Sequence, residues 1–119
     1  MSGPGLPLVA AVLALATGAA LAQDAPKGDA QHGKQIFVAY GCYQCHGYQG
    51  QGSNAGSRLA PNPLPFAALD GQLRKPRGRM PPYTRKTVSD QDLADIHAYL
   101  LGIPKAKTVA EIPLLAGLK

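Results

Sequence analysis

The stretch Gly41-Cys-Tyr-Gln-Cys-His-Gly47 contains the only two cysteines of this 119-residue chain. Cys-x-x-Cys-His is the attachment sequence for c-type haem. Each thiol adds across a vinyl group of the porphyrin to form a thioether, and the adjacent His reaches the iron from the same side. We therefore expect Cys42 and Cys45 to bind one haem c covalently and His46 to be the proximal iron ligand.

Three other uses of a cysteine pair compete with haem attachment. A disulfide is the usual interpretation of a lone cysteine pair in an exported chain. A thioredoxin-like redox pair normally begins a helix after a strand, and no β-rich run precedes Cys42. A zinc site needs four ligands, and beyond the cysteines only His32, His46 and His97 are available, without a second paired cluster. The His directly after Cys45 favours haem over all three.

The sixth iron ligand is predicted to be Met80. The chain has two methionines, and Met1 belongs to the apolar leader. Met80 lies in Gly78-Arg-Met-Pro-Pro-Tyr83, where consecutive prolines fix the backbone and prevent a helix. A stiff loop of this kind presents a sulfur at a fixed position. The alternatives are a second imidazole from His97 or His32, or an open position that binds small gases.

With these residues in place, the chain resembles the small class I, monohaem cytochromes c. The haem motif is followed by the Met80-Pro-Pro loop and by Leu93-Ala-Asp-Ile-His-Ala-Tyr-Leu100, and the resemblance covers about Gly28 to Pro104. It implies an all-α fold with three to four short helices wrapped around one covalently bound haem. The first and last helices cross, and the haem lies in a crevice between its His and Met sides.

The resemblance also implies a partner for the proximal ligand. The family fixes its proximal His by a hydrogen bond from the ring N–H to a backbone carbonyl on a proline loop, a contact that orients a metal ligand. Pro61 is the first candidate for that carbonyl in this sequence, and Pro63 is the second.

Local signals predict the helices independently. Asp29 can cap a first helix over about Ala30 to Tyr40, and Ser89-Asp-Gln-Asp92 has the pattern of a capping box for the last helix. A short helix is expected near Pro65 to Arg74. A glycine inside a helix costs about 1 kcal/mol relative to Ala, so Gly33 suggests a close helix approach, and the family resemblance favours contact with Ile96 and Tyr99.

The first 22 residues are predicted to be a cleaved signal peptide. Met1 to Ala22 has no ionisable side chain, and an apolar core from Leu8 to Ala16 is followed by the small-x-small site Ala20-Leu-Ala22. An uncleaved membrane anchor is the alternative, although the apolar stretch is at the short edge of a spanning helix. Residues 23–119 then form one periplasmic domain, with a tail from about residue 105 that we expect to pack on it.

Charge indicates a class of partner. The formal net charge is +5, and export disfavours nucleic acid. Basic residues crowd around Met80 and are predicted to steer acidic redox partners to the haem edge, although a solvated loop is an alternative. They are Arg74, Lys75, Arg77, Arg79, Arg85 and Lys86.

Coordination by His and Met leaves no position for substrate, so the sequence predicts an electron carrier without catalytic residues. The carboxylates that begin helices, such as Asp29, Asp90 and Asp92, have capping and dipole roles. The predicted function is single-electron transfer in the periplasm, with a dehydrogenase or terminal oxidase as partner. The alternatives are a cytochrome subunit of a periplasmic dehydrogenase complex and a haem enzyme or gas sensor with an open sixth position.

Overall fold

The computed structural model describes Met1 and residues 25–117, so the predicted signal peptide, apart from its first residue, lies outside the described residues. Within them, regular structure consists of α1 (Ala30–Ala39), α2 (Cys42–His46), α3 (Phe66–Arg74), α4 (Asp90–Leu101) and a 3₁₀ turn (Val109–Glu111). The described part of the chain contains no strand, which confirms the all-α prediction. None of its helices is long and apolar enough to span a membrane.

Capping side chains begin the two longest helices where the sequence predicts. Asp29 accepts hydrogen bonds from the backbone N–H groups of Gln31 and His32 at the start of α1. At the start of α4, Ser89 and Asp92 form both bonds of a capping box. These bonds satisfy N–H groups that have no partner inside the helix. α1 ends one residue earlier than expected, before Tyr40 and the left-handed Gly41.

α1 and α4 pack directly against each other through glycine. A Cβ on Gly33 would overlap the backbone carbonyl of Asp95 and lie 2.8 Å from the backbone nitrogen of Ile96. The predicted contact between Gly33 and Ile96 is therefore confirmed. Tyr99, the other expected neighbour, packs on Phe37, with ring centroids 5.7 Å apart. Only glycine allows the two backbones to approach this closely.

A buried carboxylate fastens the beginning of α1 to α4. Asp95 is 3% exposed and accepts hydrogen bonds from the Asp29 backbone N–H at 2.7 Å and the Gln91 side chain at 2.9 Å. It also pairs with His32 Nδ1 at 2.7 Å. Burial opposes ionisation of Asp95, but these hydrogen bonds outweigh it and lower the pKa. The bond to Asp95 in turn raises the pKa of His32.

The hydrophobic core lies between α1, α3 and α4 and adjoins the haem-motif helix. Its buried members are Phe37, Ala60, Leu69, Leu73, Val88, Leu93, Ile96, Tyr99 and Leu100, with Met80 and Cys42 packed at its edge. The C-terminal tail does not extend this core. Val109 is 57% exposed and Leu114 is 91% exposed, so the prediction that the tail packs on the domain is wrong for these side chains.

Candidate haem crevice

Two cavities meet at the haem motif. They share Cys42, His46, Ser57, Gln72 and Met80 in their linings and have volumes of about 350 and 390 Å³. The second is walled by core side chains, namely Phe37, Leu69, Leu73, Leu93, Ile96 and Leu100. Together the cavities form an apolar crevice between α2 and the Met80 loop, which is the kind of concave site that holds a cofactor.

His46 is fixed by the loop that follows it. The side chain is 8% exposed, and its Nδ1 lies 2.7 Å from the backbone carbonyl oxygen of Ser57. A carbonyl only accepts, so Nδ1 carries the proton and Nε2 keeps its lone pair for a metal. The accepting carbonyl is therefore that of Ser57, and the expectation that Pro61 or Pro63 supplies it is wrong.

The reason is the tight return of residues 47–57 onto α2. The Ser53 hydroxyl donates to the Cys45 carbonyl at 2.6 Å, and the Gly52 N–H donates to the His46 carbonyl at 2.8 Å. A Cβ on Gly56 would lie 2.8 Å from the Cys45 carbonyl oxygen. This close return brings Ser57 to the imidazole, while Pro61 borders a separate surface cavity beside Lys105.

Both cysteines reach the crevice as free thiols. Cys42 is partly buried, Cys45 is exposed, and both line the first cavity. Burial raises the pKa of Cys42 to about 11, whereas a redox-active pair needs a thiol with a lowered pKa. The thioredoxin-like interpretation thus loses support, and the two cysteines are not joined in a disulfide.

The described residues do not provide the set of ligands that a zinc site at the two cysteines would need. Among the described residues, the one group of three or more His, Cys, Asp or Glu side chains close enough to share a metal is His32, Asp92 and Asp95. None of these three lines the crevice. Asp92 closes the capping box of α4, and His32 and Asp95 form the pair that joins α1 to α4.

Met80 is far from His46 in the sequence, yet it lines the same two cavities. It is half-buried and packs at the edge of the core. The other two histidines are engaged elsewhere: His32 pairs with Asp95, and His97 Nε2 lies 3.0 Å from the Leu64 carbonyl. Of the predicted axial ligands, the structure brings only His46 and Met80 to the crevice.

These residues fit a covalently attached haem. Two free thiols at the required spacing lie beside an imidazole with a preset tautomer, a thioether lines the same space, and the walls are apolar. A porphyrin needs an apolar slot and an iron needs nitrogen and sulfur donors. Cys42, Cys45, His46 and Met80 are the residues that would hold it.

The basic cluster around Met80 divides into two groups. Arg74 pairs with Asp70 at 2.9 Å and Asp90 at 3.1 Å, and Arg85 pairs with the same two aspartates. The remaining four, which have no ion pair among the described residues, are Lys75, Arg77, Arg79 and Lys86. Arg77 and Arg79 line the first cavity beside the cysteines. The set of free cations is thus smaller than the sequence predicted.

Three hydrogen bonds that hold the Met80 loop have no signal in the sequence. The Arg74 guanidinium donates to the backbone carbonyls of Tyr83 and Val88, and the Tyr83 hydroxyl donates to the Tyr40 carbonyl at 3.1 Å. Backbone carbonyls carry no sequence signal, so the pattern of residues did not indicate these bonds.

An all-α fold built around this crevice defines a small c-type cytochrome. A family model described as cytochrome C oxidase, cbb3-type, subunit III matches residues 28–100, more than half of the chain. The chain belongs to this family, and it is an electron-transfer cytochrome. No curated protein and no solved structure gives a significant match.

Proposed function

We propose that the chain is an exported monohaem carrier that transfers single electrons between redox partners through a haem ligated by His46 and Met80. The observation that carries the proposal is that His46, with Nδ1 occupied by Ser57, and Met80 line the same two cavities. Cys42 and Cys45 supply the covalent attachment.

When bound, the haem supplies a one-electron ferric/ferrous couple. The residues of the chain tune and protect that couple. A thioether from Met80 would favour the ferrous state of a bound haem, and the apolar wall formed by core side chains would keep water from its iron. Two strong ligands leave no coordination position for a substrate. Cys45 lies on the exposed side of the crevice, and a haem held there would exchange electrons with partners through this side.

The partner is expected to present an acidic surface. Arg77 and Arg79 line the cavity beside the cysteines, and Lys75 and Lys86 are exposed on the same loop. Positive charge around an electron-transfer edge increases the rate of encounter with an acidic partner, and the effect weakens as salt screens it.

Acid–acetone extraction and one substitution test the proposal. Thioethers should keep the colour with the polypeptide after extraction. Met80→Ala should lower the reduction potential and remove the weak sulfur-to-iron band near the red end of the ferric spectrum. His32→Ala and His97→Ala are the controls and should retain the band. The proposal is contradicted if acid–acetone removes the colour from the polypeptide. It is also contradicted if the spectrum of Met80→Ala is identical to that of wild type.

A second candidate is an electron-transfer subunit of a larger oxidoreductase. The matched family is described as an oxidase subunit, and the exposed apolar side chains of Val109 and Leu114 in the tail suit a protein partner. Purification from the native cells distinguishes the two. A carrier elutes with the mass of its own chain, whereas a subunit remains with a catalytic polypeptide in fixed stoichiometry.

A haem enzyme or gas sensor is the third candidate and requires a weakly held sixth position. Carbon monoxide added to the reduced protein at neutral pH discriminates it. We expect slow or partial binding because Met80 must first leave the iron. Rapid stoichiometric binding would favour the sensor.

Export is part of the proposal and rests on the leader sequence. Cleavage after Ala22 would give a mature chain beginning at Gln23 in the periplasm. The intact mass of the native protein tests this directly, since a retained leader would give the mass of the full chain plus haem.

A further inference from the structure

Met80 belongs to the segment 75–89 that joins α3 to α4 and contains no helix or strand. Pro81 and Pro82 stiffen the backbone after Met80 because their rings fix φ. Stiffness alone does not attach the segment to the rest of the fold. A metal ligand on such a segment keeps its position only if other groups lock the segment to rigid elements.

Arg74, the last residue of α3, makes this attachment. Its side chain is 11% exposed, and Nη1 donates to the carbonyl oxygens of Tyr83 at 3.1 Å and Val88 at 2.7 Å. The Tyr83 N–H donates to the Leu73 carbonyl at 3.0 Å. The chain thus leaves α3, passes Met80 and returns to the end of the same helix at Tyr83.

Two carboxylates orient the guanidinium for this role. Nε donates to Asp70 at 2.9 Å and Nη2 to Asp90 at 3.1 Å. Four of the five N–H groups of Arg74 are therefore used, two on carboxylates and two on loop carbonyls. A lysine offers three donors from a point charge and has no planar fork. It would keep the charge at this position but not the set of bonds.

Tyr83 extends the attachment to the other wall of the crevice. Its hydroxyl donates to the Tyr40 carbonyl at 3.1 Å, and Tyr40 lies two residues before Cys42. The Met80 segment is consequently tied to α3 by Arg74 and to the haem motif by Tyr83. Tyr83, three residues after Met80, takes part in three of these bonds, through its N–H, its carbonyl and its hydroxyl.

We propose that Arg74 is a positioning residue that keeps the Met80 sulfur at the iron. The proposal rests on the proposed His46/Met80 ligation. Loss of the two carbonyl bonds frees the segment, so an external ligand competes with Met80 more easily. Arg74 belongs to the basic cluster that the sequence predicts to steer partners, but its side chain is turned inward to the carbonyls of Tyr83 and Val88.

Arg85 provides a matched control. It binds Asp70 at 2.9 Å and Asp90 at 2.9 Å, the same carboxylates as Arg74, but donates to no backbone carbonyl among the described residues. Arg74→Gln and Arg85→Gln each remove one arginine from the same ionic cluster. Arg85 itself lies in the Met80 segment, and its substitution removes only side-chain ion pairs to the two helices. Arg74→Gln also removes the hydrogen bonds to the segment's backbone carbonyls at Tyr83 and Val88.

The experiment titrates the ferric holoprotein with imidazole and follows loss of the sulfur-to-iron band. Arg74→Gln should be half-converted at an imidazole concentration about tenfold or more below that of wild type, since two hydrogen bonds from a charged donor are lost. Arg85→Gln should stay within about twofold, as expected for an exposed ion pair. Arg74→Lys should fall between wild type and Arg74→Gln. The reduction potential, measured in parallel, should fall in the same order.

Each outcome decides the proposal. An Arg74→Gln titration that matches wild type, or an Arg85→Gln titration that shifts equally, overturns the positioning role and leaves Met80 ligation intact. If Arg74→Gln does not retain haem, the imidazole titration of Arg74→Lys decides instead. An Arg74→Lys titration that matches that of wild type then overturns the positioning role. If wild type itself lacks the band and Met80→Ala changes nothing, the ligation and the positioning role are both overturned.

Discussion

The Nδ1 atom of His46 lies 2.7 Å from the carbonyl oxygen of Ser57. This bond orients the imidazole, selects its tautomer and increases the basicity of Nε2 as a ligand. It depends on the close return of the 47–57 loop, in which Gly56 packs against the Cys45 carbonyl. The conformation of a loop without regular structure therefore controls the proximal ligand.

Gly56→Ala should raise the reduction potential. The added Cβ would lie 2.8 Å from the Cys45 carbonyl oxygen, so the loop must shift and the bond from His46 to Ser57 lengthens. A less basic imidazole stabilises ferric iron less. A weakening of about 1 kcal/mol corresponds to roughly 40 mV for a one-electron couple. Potentiometric titration measures the change, and a potential equal to or below that of wild type contradicts this role of Ser57.

Gly33→Ala should destabilise the fold. Its Cβ would overlap the Asp95 carbonyl on the facing helix, and relief requires the helices to separate. Overpacking of this kind typically costs about 1–3 kcal/mol. Gly71→Ala is the matched control, because nothing lies within 4 Å of a Cβ there and alanine favours a helix by up to about 1 kcal/mol. Denaturant unfolding of the ferric holoprotein compares the two, and equal stabilities would show that the α1–α4 approach is not tight.

These two glycines show what the sequence could and could not predict. Gly33 lies in a helix whose cap and apolar face are local signals, so both the helix and a close approach were predictable. Gly56 acts through a loop whose path depends on the Ser53 bond and on left-handed backbone at Gly47 and Gly52. No periodicity encodes that path, which is why the carbonyl was wrongly assigned to Pro61.

The same contrast applies to charge. The run of basic residues around Met80 was visible in the sequence, and it predicted a docking surface. Which of them are neutralised depends on Asp70 in α3 and Asp90 in α4, which approach each other only in the folded chain. The tail likewise has an apolar composition, but composition does not distinguish a packed segment from an exposed one.

The pair of His32 and Asp95 should make stability depend on pH. Bonding to Asp95 raises the pKa of His32, with Asp92 and Asp29 adding to the effect. Its contribution to the free energy of unfolding is full below the unfolded-state pKa of about 6.5 and is lost as pH rises through the higher folded-state pKa. The lowered pKa of Asp95 makes its own contribution present above about 3.9, and that contribution is lost in stronger acid.

His32→Gln should therefore destabilise the protein more at pH 5 than at pH 9. Denaturant unfolding of the ferric holoprotein at the two pH values measures the difference. His97→Gln is the control, since that imidazole contacts a backbone carbonyl rather than a carboxylate. A His32→Gln effect that is the same at both pH values would show that the ion pair does not contribute.

The free cations at the crevice should control encounter with anionic redox partners. The double variant Arg77→Gln/Arg79→Gln removes both arginines that line the first cavity, and hexacyanoferrate(III), a trianion, serves as the oxidant of the reduced protein. At low ionic strength its stopped-flow rate should fall about three- to tenfold, and the difference should vanish as salt increases, because steering is screened. Arg85→Gln should change the rate less, since Asp70 and Asp90 already neutralise that side chain. The double variant removes two positive charges and Arg85→Gln removes one. If Arg85→Gln lowers the logarithm of the rate by half as much as the double variant, net charge rather than charge at the crevice controls the encounter.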